Sequence, residues 1–220
     1  MAKVSFLAGI PGAGKSTVVK AMKQNYAEAE KPFDFELITF STLMKEKIKE
    51  SMEADELRKK LSLEKTYQLQ NDVYKDIFSR EGNIIIDSHS RIFLPGSAHS
   101  FSKNPELKSE LDFYYTKSPD GIFSNGFPES LHKEYHLVGV ALIEPENIAS
   151  LEKQRAGDSS RKRDDFPSAE VQQREEYRSA QKIADLADCP FLSFKNIYGK
   201  AKETALQLSD FLEDCYALDR

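Results

Sequence analysis

Cysteine is scarce: two residues, Cys189 and Cys215, occur in 220, with no C-x-x-C spacing. So few thiols exclude the dense disulfide frame of small secreted domains, and a metal site would need other ligands. Two reduced thiols in a cytoplasmic chain is the reading; a single bridge is the alternative. Long apolar runs are also missing. Mean hydropathy is −0.55, and no stretch approaches the roughly 20 apolar residues that span a bilayer. No secretory leader is recognisable, so the protein is expected in the cytoplasm, away from membranes. Positive charge is not in excess either: 31 Lys and Arg face 36 Asp and Glu, a formal charge of −5. Broad nucleic-acid binding asks for the opposite sign, so an anionic ligand must meet a local basic cluster. What is present is a core. Hydrophobic residues make up 40%, including 14 Phe and 9 Tyr, which excludes whole-chain disorder and suits one sizeable domain spanning 1–220.

Five short apolar runs look like strands: 3–8 (KVSFLA), 35–40 (FELITF), 83–87 (NIIID), 137–143 (LVGVALI) and 191–194 (FLSF). Two are nearly unbroken Val, Ile and Leu, as expected of strands buried on both faces. Helical spacing recurs between them, at 16–26, 42–52, 62–78, 146–155, 168–187 and 200–216. Strands alternating with helices argue for an α/β fold, a parallel sheet wrapped by helices.

The first strand runs straight into Gly9-Ile-Pro-Gly-Ala-Gly-Lys15-Ser16-Thr17, a full G-x-x-x-x-G-K-[ST] match with a strand before it and a helix after it. Glycines let consecutive backbone N–H groups turn toward a phosphate with no Cβ in the way. The helix that follows aims its positive end at the same group. Gly12, Ala13, Gly14, Lys15, Ser16 and Thr17 are therefore the candidate ATP-binding residues. Lys15 would reach the β- and γ-phosphates, Ser16 would ligate Mg²⁺, and Thr17 would meet the α-phosphate region. Asp87 closes the run Ile84-Ile85-Ile86, so it belongs at the C-terminal edge of the sheet, as a second ligand for Mg²⁺ or as a cap.

Between Lys153 and Arg163 stand five cations and one Asp, with Gly157 as a hinge. Phosphoryl transfer spreads charge over equatorial oxygens, which movable arginines stabilise by bidentate contacts. Beside a phosphate loop, 153–165 reads as a basic lid carrying Arg155, Arg161 and Arg163; alone it would be a solvated turn. The segment 92–136 breaks the strand–helix rhythm with proline, glycine and eight aromatic residues. It is expected to be an ordered insertion that covers a ligand cleft. His132 and His136 share a helix-face spacing but lack a third ligand, so zinc is not expected. His99 reads as loop surface. No Ser-His-Asp set is required, because phosphoryl transfer needs positioning and charge neutralisation.

GIPGAGKST, DELRKKLSLEK at 55–65, IIIDSHS at 84–90 and DSSRKRDD at 158–165 follow in the order of archaeal-type adenylate kinases, which this chain resembles over about 1–91 and 137–215. The resemblance implies a P-loop NTPase fold with a five-stranded parallel sheet flanked by helices on both faces. Here it carries an insertion between the third and fourth strands. It further implies Mg²⁺-dependent transfer between ATP and AMP. By resemblance Arg58 holds the monophosphate, Thr42 and Met44 line its pocket, and Asp87 and His89 mark the acidic strand end and its neighbour. His89 would touch ligand or orient the Asp87 loop. The sequence departs from the family at Arg91, which would contact the acceptor phosphate or pair with an acidic neighbour. It departs again where either 92–96 or 125–128 stands for the family's loop beside the acceptor base. Such kinases tend toward homotrimers, so a homo-oligomer with small-nucleotide partners is implied. Two rivals remain: a kinase for another acceptor, and a nucleotide-dependent switch that grips a protein or RNA.

Overall fold

The computed structural model describes residues 2–28, 34–48, 61–94, 115–118, 121–127, 131, 135–157 and 167–218. Five strands form one parallel sheet in the order β2-β3-β1-β7-β8: β1 (Lys3–Ala8), β2 (Glu36–Thr39), β3 (Asn83–Asp87), β7 (Leu137–Pro145) and β8 (Phe191–Asn196). Strand pairing aligns Leu7 with Asp87 and with Ala141, so the strands end together at one edge. The six described helices are α1 (Lys15–Glu28), α2 (Phe40–Ile48), α3 (Leu63–Phe78), α4 (Ile148–Gly157), α5 (Ala169–Ala187) and α6 (Ala201–Leu218). All five expected parallel strands are present, with boundaries shifted by a few residues.

Strand alternation explains why the core divides in two. Val4, Phe6, Ala8, Ile84, Ile86, Val140 and Leu142 point to one face, where they meet Val73, Tyr74 and Ile77 of α3 and Ile183 of α5. Leu7, Ile85, Ala141 and Ile143 point to the other, against Val18 and Met22 of α1 and Leu208 and Leu212 of α6. A register shift between Val4 and Ser5 opposite β7 interrupts the alternation. Gly139 stands at that shift, where a Cβ would lie 2.6 Å from Cys215 Sγ. The absence of a side chain at Gly139 leaves room for Cys215 and Phe211 of α6 to pack there. Serine caps start two of the helices: Ser62 accepts the Lys65 N–H on α3, and Ser168 accepts the Val171 N–H on α5.

Three further strands lie between β3 and β7 in the chain: β4 (Arg91–Leu94), β5 (Tyr115–Ser118) and β6 (Gly121–Asn125). They form a separate antiparallel sheet in the order β4-β6-β5. Strands were not among the expectations for this segment, because its runs are short and interrupted by proline and glycine. Arg91 pairs with Asn125 at the root of the sheet, so the chain leaves and returns at one point. It is back in the main core at Phe127, only 2% exposed, whose ring lies 4.7 Å from Tyr74 and 6.5 Å from Phe6 between centroids. No helix among the described residues is long and apolar enough to cross a membrane.

Candidate active site

The loop between β1 and α1 crosses the C-terminal edge of the sheet. Gly12 and Gly14 adopt φ of 86° and 88°, a region closed to most side chains. Space excludes a side chain as well: a Cβ at Gly14 would sit 2.1 Å from Asn196 Nδ2, and one at Gly12 would sit 2.6 Å from Leu151 Cδ1. Helix α1 begins at Lys15 and has no acidic residue in its first turn, so its positive end faces the loop without an internal competitor. Ala13 is buried, whereas Gly12, Ser16 and Thr17 are exposed at the mouth. Asn196, at the end of β8, donates to the Ala13 carbonyl at 3.0 Å and braces the loop from the far side.

Lys15 folds back across this edge. Its ammonium donates to the carbonyls of Gly9 and Ser88 and lies 3.7 Å from Asp87 Oδ1. Burial pushes the Asp87 carboxyl above its usual range, and Lys15 draws it part of the way back. A carboxylate so placed favours a cation beside it. Asp87 and Ser16 are oxygen donors, which suits magnesium, an ion that retains several waters and takes few protein ligands. The described residues hold no cluster of three or more His, Cys, Asp or Glu, so a closed protein cage of the zinc type does not occur among them.

His89 Nδ1 donates to the Gly9 carbonyl at 2.7 Å and lies 3.5 Å from Lys15 Nζ. That bond ties the turn after Asp87 to the phosphate loop. Arg91 is likewise engaged by protein: it donates to Asn125 Oδ1 and lies 3.9 Å from Glu175 Oε2. Burial lowers its guanidinium from the usual value, and Glu175 and Glu176 oppose that. Arg155 Nη2, on α4, donates to the Pro11 carbonyl and so touches the phosphate loop directly. Thr42 is exposed on α2, and Met44 is half-buried against the core. Arg58, Arg161, Arg163, His99 and His132 lie outside the described residues. The sheet edge therefore gathers Lys15, Asp87, His89 and Arg155, leaves Thr42 and Met44 on α2, and places Arg91 at the root of the second sheet.

Glu176 and Asn196 were not anticipated. Glu176, on α5, is 1% exposed. Its Oε1 accepts the N–H of Gly9 at 3.0 Å and of Ser90 at 2.7 Å, and its Oε2 accepts the Arg91 N–H at 3.1 Å. Burial raises this carboxyl; Lys15 and the three backbone donors oppose the rise. A signal was available in the sequence. Glu176 falls three, four and seven residues before Ser179, Ala180 and Ile183, on the stripe that α5 buries. Gly126 was one of two alternatives for the loop by the acceptor. Its N–H donates to the Ser90 carbonyl at 2.7 Å, and a Cβ there would lie 1.8 Å from the His89 carbonyl oxygen.

A parallel sheet whose C-terminal edge carries this glycine-lined loop, lysine and strand-end carboxylate defines a P-loop phosphotransferase. A family model described as AAA domain matches residues 8–124. The chain is 30% identical over 191 residues to an adenylate kinase of Methanoculleus marisnigri, covering 84% of this chain and 83% of that enzyme. It is 26% identical over 126 residues to an adenylate kinase of Pyrobaculum aerophilum, covering 56% of this chain and 53% of that one, about half that relative's length. The chain belongs to the adenylate kinase family, within this AAA-domain match. Among solved structures, a shikimate kinase from Acinetobacter baumannii in complex with shikimate is 13% identical, with a TM-score of 0.49, covering 97% of this chain and 94% of that one. A thymidylate kinase from Candida albicans is also 13% identical with a TM-score of 0.49, covering 97% and 92%.

Proposed function

We propose that this protein is a Mg²⁺-dependent nucleoside monophosphate kinase that moves the γ-phosphoryl group of ATP to AMP or a related nucleotide. The observation that carries this reading is the meeting of Lys15 with Asp87, 3.7 Å apart, under the glycine loop. ATP brings a chain of negative charge to that place. The amides of residues 12–17 and the N-terminal end of α1 would receive the phosphates. Lys15 would exchange its carbonyl partners for phosphate oxygens. Ser16 and Asp87 would hold magnesium, which neutralises charge on the β- and γ-oxygens.

Arg155 already reaches the loop at Pro11. With Arg161 and Arg163 it would form the cationic side of the lid and exclude water from the transfer. Arg58, Thr42, Met44 and His89 would frame the acceptor, as family membership suggests. Partners are accordingly small nucleotides. The chemistry needs no covalent enzyme intermediate, since donor and acceptor oxygens need only be held in line.

The deciding experiment is a phosphotransfer assay with Mg-ATP against a panel of nucleoside monophosphates, deoxynucleotides and nucleosides. ADP formed from AMP at the highest kcat/KM supports the reading. Absence of transfer to every nucleotide, with ATP still bound, overturns it. The lid is tested separately: Arg161→Ala and Arg163→Ala should each reduce kcat by about 10³-fold or more while ATP binding persists. One observation favours a second acceptor. The antiparallel sheet β4-β6-β5 is rooted at Arg91 and Asn125, one residue from Ser90 and Gly126. A sheet so close to the acceptor side would select another nucleotide or nucleoside, and the same panel distinguishes the two.

A further inference from the structure

Two loops must keep a constant separation for this reaction. One is the phosphate loop that begins at Gly9; the other is the turn 88–91, which follows Asp87 and starts β4. They follow the neighbouring strands β1 and β3 and already meet where His89 Nδ1 donates to the Gly9 carbonyl and Lys15 Nζ to the Ser88 carbonyl. A further group that touches both is on α5, outside the loop, the lid and the strand end.

We infer that Glu176 is the positioning residue that locks the donor loop to the acceptor-side turn. A single carboxylate takes the N–H groups of Gly9, Ser90 and Arg91 at 2.7 to 3.1 Å. Helix α5 adds two bonds to the same turn: Ser90 Oγ donates to the Glu176 carbonyl at 2.7 Å, and Ser179 Oγ donates to the Ser90 carbonyl at 2.6 Å. The preceding residue of the helix, Glu175, lies against Arg91, which also donates to Asn125 on β6. Three residues of α5 thus hold the phosphate loop, the turn after β3 and the root of the second sheet in one frame. The acceptor-side opening to be gripped is set from the same helix.

A carboxylate is the group this geometry requires. It has about four lone-pair directions on two oxygens, enough for three donors arriving from two sides. An amide of the same shape has one accepting oxygen, and its NH₂ would face a backbone N–H. Burial at 1% exposure leaves no water to replace a lost acceptor. Glu176 touches no reacting atom in this account. It acts through Gly9 and through Ser90 and Arg91, and a displacement of the order of 1 Å between such loops costs about 100-fold in rate.

This inference rests on the phosphotransferase reading, and the test separates the two. Glu176→Gln is compared with the wild type in three measurements. Amide hydrogen exchange is followed by NMR without nucleotide, ATP affinity by calorimetry, and steady-state kinetics with ATP and the best acceptor of the panel. The expected result is at least about tenfold faster exchange at Gly9, Ser90 and Arg91, with the rest of α5 unchanged. ATP Kd should stay within about threefold, because residues 12–17 still grip phosphate, while kcat falls about 10- to 100-fold. A variant that melts earlier but keeps kcat and the three slow amides overturns the inference. If Glu176→Gln fails to fold, Ser179→Ala decides. Faster exchange at Ser90 and Arg91 with a kcat loss of about twofold or more supports the frame, and unchanged values overturn it. Wild-type protein with no phosphotransfer would sink the kinase reading alone, since the exchange measurement reads the same bonds without nucleotide or acceptor.

Discussion

At Lys15, two backbone carbonyls, an imidazole and a carboxylate converge on one ammonium group, all within 3.7 Å. The two carbonyls and the carboxylate accept there, while His89 Nδ1 gives its own proton to Gly9; in the proposed reaction Lys15 would exchange these partners for phosphate oxygens. Lys15→Ala should reduce kcat by about 10²- to 10³-fold with little change in melting temperature, as measured by coupled ADP formation and circular dichroism. Near-wild-type turnover would remove Lys15 from the mechanism. Gly14 offers a steric test. Its φ of 88° and the amide of Asn196 exclude a side chain, so Gly14→Ala should abolish ATP binding in calorimetry. At this scale the sequence was informative wherever chemistry is local. The phosphate loop is nine consecutive residues whose types are demanded by backbone geometry. The loop partners of Glu176 and Asn196 were not legible for the opposite reason, as Gly9 and Ala13 lie 167 and 183 residues away from them.

Among the elements, α5 carries two different tasks on one face. Ala180, Ile183 and Ala184 pack against the sheet, while Glu175, Glu176 and Ser179 secure the turn after β3. The helical spacing of 168–187 announces only the first of these tasks, because polar residues on a buried stripe look like noise until their partners are known. The segment after β6 shows the same limit. Phe127 lies among Phe6, Tyr74 and Phe78, and the Tyr74 hydroxyl donates to the Gly126 carbonyl beside it. Phe127→Ala should lower unfolding free energy by about 3–5 kcal/mol in urea denaturation. A loss below about 1 kcal/mol would show that this ring is not part of the core. Parallel strands were legible because burial on both faces imposes near-continuous Val, Ile and Leu. The strands of the second sheet lack that signature.

For the whole molecule, the common root of the second sheet makes it separable by design. Replacing residues 92–124 by a short glycine linker should leave ATP Kd within about threefold and alter the ranking of acceptors in the panel. An unchanged ranking would deny the insertion any part in acceptor choice. Thiol burial sets an alkaline limit on stability. Burial pushes Cys189 up to about 12 and Cys215 up to about 11. The folded chain thus keeps protons that an unfolded thiol, near about 8.5, releases. This contribution is complete below that unfolded value and disappears as pH rises through the folded ones. Melting temperature should therefore fall between about pH 8.5 and pH 12, and Cys189→Ala should flatten part of the fall. Identical slopes for the two proteins would refute the assignment.

The sequence by itself determined the alternation of strand and helix, the phosphate loop and the strand-end carboxylate, since each follows from steric and hydrophobic rules acting over a few neighbouring residues. The tertiary structure alone decided which distant groups brace that loop, how the second sheet is tied to Arg91, and that a glutamate on α5 joins both sides of the site. Those facts depend on hydrogen bonds between strands and helices far apart in the chain, and one partner in most of them is a backbone amide or carbonyl, which every sequence possesses and none reveals.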